Sequence, residues 1–477
     1  MTKSNIDSAL LSVSLDRTLN VSLQAQLTGA IRRLVHERGL KSGDRLPPSR
    51  VLASDLSVSR ITVTSAYDQL ISEGYLAGRQ GSGVFIASDL SGMPRPPAGA
   101  SRDLDLSNVS PPGPLVPFAS AAPDLAHFPH KDWAKLFDQI WRSPDPGLLG
   151  RSDPLGWGPL RLAIAGHLRD WRGLACDPAQ IVITSGLAEA ISLIAKAVLA
   201  PEQTVLVEDP GHAALRSAIA ANGLHCQPTG VDANGLTLGA LAGQGFRAIA
   251  VTPSRQFPLG MTMPLSRRLH LLRWANETGG VIIEDDYDGE YRYQGQPLPA
   301  MMSLDDQGRV IYVGSFSKVM FPGLRLGFAV FPAPSLGRVR AVMSETGAQA
   351  GIMPQPVLAR FIGEGKFATH IRRMRRLYAH RQRVLVGAIG THCAGLLDIA
   401  PAAAGMHLVA GLTPRLAARM DDAEASTRAR ARGVSARALS GYYAGATHRQ
   451  GLVLGYAGFN DAQIERAAEN LALALRS

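Results

Sequence analysis

The chain has 477 residues, 46% of them apolar, enough for a large core and, at about 150 residues per domain, for about three domain-sized units. Its three cysteines, Cys176, Cys226 and Cys393, are scattered without metal spacing, which excludes a disulfide framework and predicts reduced thiols in a cytoplasmic protein. A formal net charge of +10, with a pI near 9.8, permits a nucleic-acid partner without establishing one. The N-terminus, Met1 to Asp7, lacks a charged-then-apolar signal pattern, and the most apolar helical stretch, from Leu187, is interrupted by Glu189 and Lys196, so neither secretion nor membrane insertion is expected.

From Ser22 to Arg38, Leu23, Leu27, Ala30, Ile31, Leu34 and Val35 recur at helical spacing and stop at Gly39. Leu46-Pro47-Pro48-Ser49-Arg50 ends that region and lets Ser49 cap a second helix through Val51, Leu52 and Leu56. After Ser57-Val58 a third helix, Ser59 to Leu70, buries Val63, Ala66, Tyr67 and Leu70 and exposes Ser59, Arg60, Thr62 and Thr64, groups that reach phosphates or base edges. Glu73 to Leu76 and Arg79 to Ile86 then form a hairpin with a glycine-rich tip. The pattern is a helix-turn-helix with a wing. Residues 1–86 carry ten Lys/Arg against seven Asp/Glu, a net of only +3, so placement rather than total charge carries the nucleic-acid reading.

This module resembles the GntR-type winged helix at Leu46 to Arg50, at Ser59-Arg60-Ile61-Thr62-Val63 and at the wing. The resemblance implies contacts to double-stranded operator DNA from Arg50, Arg60, Thr62, Arg79 and Gly83, with Ser59 at the start of the recognition helix. From Ala87 to about residue 118 the chain is rich in Pro, Ser, Gly and Asp and reads as an extended linker.

Further on, Ile181-Val182-Ile183-Thr184-Ser185-Gly186-Leu187 is a strand, a tight turn and the start of an apolar helix reaching about Ala200. Free N–H groups at such a helix start favour a phosphate, and glycine at 186 lets the backbone approach it. Val281-Ile282-Ile283 runs into Glu284-Asp285-Asp286-Tyr287-Asp288, carboxylates at the end of a buried-type strand, where ligands sit in open α/β sheets. Val310-Ile311-Tyr312-Val313 leads into Gly314-Ser315-Phe316-Ser317-Lys318, and Pro322-Gly323 then turns the chain so that Arg325 returns toward the lysine and the serine hydroxyls.

A lysine, a carboxylate, a tyrosine, an arginine and a helix N-terminus together describe a site for pyridoxal 5'-phosphate. Residues from about 119 to 477 resemble the fold-type I aminotransferases, and Glu208-Asp209-Pro210-Gly211, Glu284 to Asp288 and Ser315 to Lys318 resemble the MocR/GabR-type subfamily of GntR regulators. That resemblance implies an α/β fold: an N-terminal winged helix-turn-helix (1–86), a linker (87–118) and a domain with a large, mostly parallel sheet and a smaller α+β lobe (119–477). It also implies an aldimine between Lys318 and the cofactor, Asp285 or its neighbour Asp286 at the ring nitrogen, and Tyr287 at the phenolic oxygen. The phosphate falls to Ser315, Ser317, Arg325, Gly186 and Leu187, and the ring face to His212. The implied protein is a dimeric, cofactor-dependent transcriptional regulator answering an amine or amino-acid effector or the cofactor itself. The competing class is a catalytic aminotransferase with an appended DNA-binding-like domain.

Five positions depart from the family pattern. Arg151 stands where many relatives have a tyrosine that reaches the phosphate of the neighbouring subunit, and His212 replaces a ring-stacking tyrosine. Arg255 replaces a histidine, and Phe257 an asparagine, in Pro253-Ser254-Arg255-Gln256-Phe257. Val453 occupies the position of the arginine that grips substrate carboxylates in amino-acid-handling relatives, with Arg255 or Arg437 as the available substitutes. The basic run Lys366 to Arg383 keeps Ile371, Met374, Leu377 and Tyr378 at helical spacing, and reads as a lobe-connecting helix whose charged face could instead meet DNA.

Overall fold

The computed structural model describes residues 10, 13–19, 21–36, 42–79, 82–88, 115–120, 122–150, 153–242, 245–296, 298–446 and 449–476. Most of the expected linker, and Arg151, lie outside them. The chain divides into two compact units, Met1–Gly113 and Pro114–Ser477.

In the first unit, α1 (Leu23–His36), α2 (Ser49–Asp55) and α3 (Arg60–Ser72) precede an antiparallel pair, β1 (Leu76–Arg79) and β2 (Gly83–Ile86). Leu27, Ile31, Leu52, Val63, Ala66, Tyr67, Leu70, Leu76 and Ile86 close one core. The expected cap at Ser49 is not formed. Ser49 is itself the first helical residue, Pro48 occupies the cap position in an extended conformation, and no side chain accepts from the first turn. At α3, by contrast, the Ser59 side chain accepts from Thr62 N–H, as its sequence position predicts. Arg45 pairs with Phe85 in an isolated bridge, which adds a short third edge to the wing.

The second unit is built on an eight-stranded sheet ordered β3-β10-β9-β8-β7-β4-β5-β6. Its strands are β3 (Ile181–Thr184), β4 (Thr204–Asp209), β5 (His225–Asp232), β6 (Gly235–Leu236), β7 (Phe246–Val251), β8 (Val281–Asp286), β9 (Val310–Ser315) and β10 (Gly327–Val330). Strands β9, β8, β7, β4 and β5 run parallel, while β10 is antiparallel to both β3 and β9. Residues on both faces are buried, as continuous Val/Ile runs in a parallel sheet require. Helix α4 (Leu187–Ala197) leaves β3 at Gly186 and ends three residues before the expected limit, and α5 (Ala213–Ala221) follows β4.

Helix α6 (Lys366–His392) leads to a second, antiparallel sheet ordered β11-β12-β14-β13: β11 (Leu397–Asp398), β12 (His407–Leu412), β13 (Arg437–Ala438) and β14 (Gly451–Gly455). One face, through Leu408, Ala410, Leu452 and Leu454, joins the core made with α6, α7 (Asp422–Ala431) and α8 (Asp461–Arg476). The alternate residue Val453 packs on the other face against Phe257, Leu439 and Tyr442. No helix among the described residues is long and apolar enough to cross a membrane.

Candidate cofactor and nucleic-acid sites

The register of three strands assembles one edge of the site. Gly327 on β10 stands opposite Thr184 of β3 on one side and Ser315 of β9 on the other, so the Gly186 turn and the Ser315-Lys318 turn become neighbours. A Cβ at 327 would lie 3.0 Å from Gly314 O and 3.2 Å from Gly186 Cα, so a side chain there would press against both neighbouring turns. Gly186 itself has φ +135°, which other residues rarely adopt, and nothing lies within 4 Å of where its Cβ would stand. The Thr184 hydroxyl beside it is buried without a hydrogen-bond partner.

Ser315 caps the short helix Phe316–Val319 by accepting from Ser317 N–H, which lifts Lys318 one turn above the end of β9. Burial pushes the Lys318 amine below its ordinary pKa; Asp285 and Asp288 oppose the shift and Arg437 adds to it. Arg325 closes the turn after Pro322–Leu324 with φ +49°, a left-handed conformation that costs a non-glycine residue about 1–2 kcal/mol. Its side chain is exposed.

The two adjacent aspartates of β8 face opposite ways. Asp286 accepts from Tyr312 OH at 2.6 Å and pairs with Arg172 at 2.6 Å. Asp285 lies on the Lys318 side, and burial, aided by the charges of Asp286 and Asp288, raises its pKa to about 7 against the pull of Lys318. Tyr287 OH accepts from Arg255 at 2.9 Å, and the same guanidinium reaches Asp288 at 3.2 Å and the His407 carbonyl at 2.7 Å. Arg255 is thereby committed to holding the tyrosine and is not a spare cation. Phe257 meets His212, Tyr287, His407 and Tyr442 edge-on, with ring centroids 5.1–5.5 Å away. His212 caps α5 by accepting from Leu215 N–H through Nδ1, which leaves the proton on Nε2. Burial, with Lys318 and Arg216 nearby, lowers its pKa to about 4, so the ring is neutral at physiological pH.

In the N-terminal unit, Arg50, Ser59, Arg60, Arg79 and Gly83 are exposed and Thr62 is half-buried. The Ser59 and Thr62 hydroxyls bond each other at 2.8 Å. The Arg79 guanidinium lies 4.8 Å from the Phe85 ring centroid, and Gly83, with φ +107°, lets the Arg45 guanidinium lie over the wing backbone. Two residues on this face escape a sequence reading. Arg45 reaches the wing only through its strand bridge, and Ile61, an apolar residue one position into α3, is 77% exposed.

On α6, Ile371, Met374 and Tyr378 are buried and Leu377 partly so. Arg372, Arg373, Arg375 and Arg376, with Tyr293, Thr369 and Ala379, line a shallow concavity of about 570 Å³ that includes no carboxylate. Arg375 is fixed there by its bond to the Arg292 carbonyl at 2.6 Å and its approach to Trp171.

Comparison with known proteins bears on both units. Residues 115–471 match the family of class I and II aminotransferases, and residues 23–86 the bacterial regulatory proteins of the gntR family. The chain is 37% identical over 470 residues to the probable rhizopine catabolism regulatory protein MocR of Rhizobium meliloti, covering 96% of this chain and 94% of the relative. The chain belongs to the MocR-type regulators of the GntR family. Another member, the pyridoxine biosynthesis transcriptional regulator PdxR of Corynebacterium glutamicum, is 34% identical over 451 residues, 94% of each chain. Among solved structures, the α-aminoadipate aminotransferase LysN of Thermus thermophilus, complexed with N-(5'-phosphopyridoxyl)-L-leucine, aligns with TM-score 0.68 and 26% identity over 76% of this chain and 92% of that one. A MocR-type chain is thus a transcriptional regulator whose larger domain is of the pyridoxal 5'-phosphate-dependent aminotransferase kind. The residues of this chain fit that cofactor: an open glycine turn at a helix N-terminus, an unpartnered Thr184 hydroxyl beside it, and a buried carboxylate facing a buried amine.

Proposed function

We propose that this regulator binds operator DNA through its first unit and adjusts that binding to what occupies the Lys318 site. The observation that carries the reading is the confrontation of Lys318 and Asp285 from the ends of neighbouring strands β9 and β8. Pyridoxal phosphate supplies an aldehyde able to take an amine and a ring able to accept electrons. Lys318 Nζ, its pKa lowered by burial, is the nucleophile for that aldehyde. Asp285 carries or accepts the proton at the ring nitrogen, while Asp286 serves Arg172 and Tyr312. Tyr287, oriented by Arg255, donates toward the phenolic oxygen, and neutral His212 lies against the ring face. Ser315, Ser317, Arg325 and the Gly186-Leu187 turn hold the phosphate, with Thr184 as an added donor.

The division of labour follows the sequence: 1–86 for DNA, 87–118 as a linker, and 119–477 for cofactor and effector. Arg50, Arg60, Thr62, Arg79 and Gly83 meet the duplex, with Ser59 holding the start of α3. The active form is a homodimer, which matches a two-half-site operator. An amine effector would bind at the Lys318 site beside the cofactor, and its different affinity for the two arrangements of the domain would shift operator binding.

The test is a visible absorbance titration with pyridoxal phosphate on wild-type protein and Lys318→Ala, beside binding to a duplex selected from a random library. A band that needs Lys318, and duplex affinity that changes with cofactor or added amine, is the expected result. No band in either protein overturns the cofactor role of this site.

A further inference from the structure

Lys318 is carried by a single helical turn, Phe316–Val319, too short to satisfy its own last carbonyls. Phe316 O is met by Met320 N–H at 2.8 Å, and the chain then leaves the turn. The Val319 carbonyl, next in sequence to the lysine, therefore needs partners from elsewhere. It has two, both buried: Tyr291 OH donates to it at 3.1 Å, and His370 Nε2 of α6 stands 3.1 Å away. A carbonyl only accepts, so Nε2 carries the proton of the His370 ring, and Nδ1, buried without a hydrogen-bond partner, is bare. Burial lowers the ring's pKa to about 4 against the Val319 bond, so this neutral donor persists at physiological pH.

The ring is itself fixed. Phe128 meets it edge-on with centroids 5.7 Å apart, and Phe128 meets Phe321 in the same way at 4.9 Å. One turn earlier on α6, Phe367 meets Phe316 edge-on at 5.9 Å. Positions 367 and 370 share a helix face, so α6 touches the lysine turn at its first residue and at its last. Packing alone does not account for the histidine: an apolar side chain would fill this space without the cost of a buried, unpaired Nδ1.

We propose that His370, together with Tyr291, is a positioning residue for Lys318: the two donors pin the Val319 carbonyl and so hold the Lys318 amine where the cofactor's aldehyde arrives. Both act through the backbone of the turn. Because α6 leads into the second sheet, the same bond ties the lysine to the helix from which that sheet hangs. The inference rests on the Lys318 site being the cofactor site.

The probes are pyridoxal 5'-phosphate and 4-deoxypyridoxine 5'-phosphate, which keeps the ring and the phosphate but has a methyl group in place of the aldehyde and cannot bond to Lys318. Both are titrated calorimetrically into full-length wild type, His370→Phe, His370→Gln and Tyr291→Phe, with absorbance followed for the aldehyde. Phenylalanine at 370 keeps a ring and loses the N–H, whereas glutamine places an amide N–H near the Nε2 position. His370→Phe and Tyr291→Phe are each expected to bind pyridoxal phosphate about 5–10-fold more weakly, the scale of one hydrogen bond, with the affinity for the deoxy compound unchanged. His370→Gln is expected to recover most of the loss. In a Lys318→Ala background His370→Phe is expected to have no further effect, since the coupling runs through the lysine. Equal weakening of both ligands marks a general support of the fold and overturns the proposal, as does no weakening of either. If His370→Phe does not fold, Tyr291→Phe, which removes one oxygen atom, decides by the same criterion. A wild-type chain without a Lys318-dependent band removes the cofactor site itself, and the proposal with it, before any variant is compared.

Discussion

The Arg172 guanidinium holds the Asp286 carboxylate at 2.6 Å with both side chains only 2% exposed, and this fixes which way the two consecutive aspartates of β8 point. Asp286 is tied to the interior side together with Tyr312, and Asp285, one residue earlier on an alternating strand, turns to Lys318. The two positions therefore answer substitution differently. Asp286→Asn leaves a buried guanidinium without its counter-charge and is expected to cost about 3–5 kcal/mol in urea unfolding. Asp285→Asn is expected to leave the cofactor-free protein at least as stable at neutral pH. It removes a carboxyl whose pKa is raised to about 7, a group that stabilises below the unfolded value and loses that contribution as pH rises. Its effect falls on the cofactor, with affinity reduced about 10–100-fold by the loss of one charge-assisted bond. Equal losses of stability in the two variants would refute the opposed orientation.

His212 gives a pH prediction with a definite sign. Its folded pKa, about 4, lies below the ordinary imidazole value, so its contribution to stability is complete above about pH 6.5 and is lost as pH falls toward 4. Asp285, Asp288 and Glu208, all raised to about 7 chiefly by burial, act with the opposite sign over an overlapping range. The wild-type profile is therefore a sum, and the difference between two proteins isolates the histidine. His212→Asn keeps a capping side chain for α5 and removes the titration. Between pH 6.5 and 4 its stability is expected to fall less steeply than the wild type's by up to one proton's worth of slope, about 1.4 kcal/mol per pH unit. Parallel curves over that interval would place the titration elsewhere.

On the DNA side, cap and contact separate. Ser59 holds the start of α3 through Thr62 N–H, so Ser59→Ala is expected to cost about 1 kcal/mol of stability in the N-terminal unit, with duplex affinity falling along with it. Arg60→Ala is expected to leave melting unchanged, weaken all duplexes similarly and reduce the salt slope by about one. Ile61, 77% exposed beside it, lacks charge and offers contact to a thymine methyl. Ile61→Asn is expected to alter which library duplexes are selected while leaving the salt slope alone. Anisotropy titrations at several salt concentrations check all three, and a changed slope for Ile61→Asn counts against a base-edge role.

These cases also mark what the sequence could disclose. Local pattern was enough for the winged helix, for strands β3, β8 and β9, and for the glycine turn before α4, because periodicity and punctuation are written in consecutive residues. It could not choose between Asp285 and Asp286, since the choice depends on Arg172, which lies more than a hundred residues upstream. Nor could it rank Arg255 against Arg437. One is consumed by Tyr287 and Asp288, and the other stands beside Val453 through a strand pairing that no local motif records. Arg45 and Ile61 lacked a signal for the same reason: bridge pairing and exposure are properties of the fold.

Arg325 joins backbone strain to ligand binding. Its φ of +49° belongs to the region that glycine enters freely, and its side chain is exposed. An arginine kept in a conformation that costs about 1–2 kcal/mol fits the proposal that it grips the cofactor's phosphate. Arg325→Gly relieves the strain and is offset in part by the greater freedom of glycine in the unfolded chain, about 0.4–1 kcal/mol. Without cofactor, this variant is expected to be as stable as the wild type or up to about 1 kcal/mol more so, whereas Arg325→Ala retains the strain and gains nothing. With pyridoxal phosphate both variants are expected to bind at least tenfold more weakly, since both lose the phosphate's guanidinium partner. Urea unfolding without cofactor and absorbance titration with it separate the two effects. If Arg325→Gly destabilises the cofactor-free protein while Arg325→Ala does not, the left-handed residue is supporting the fold rather than waiting for the phosphate.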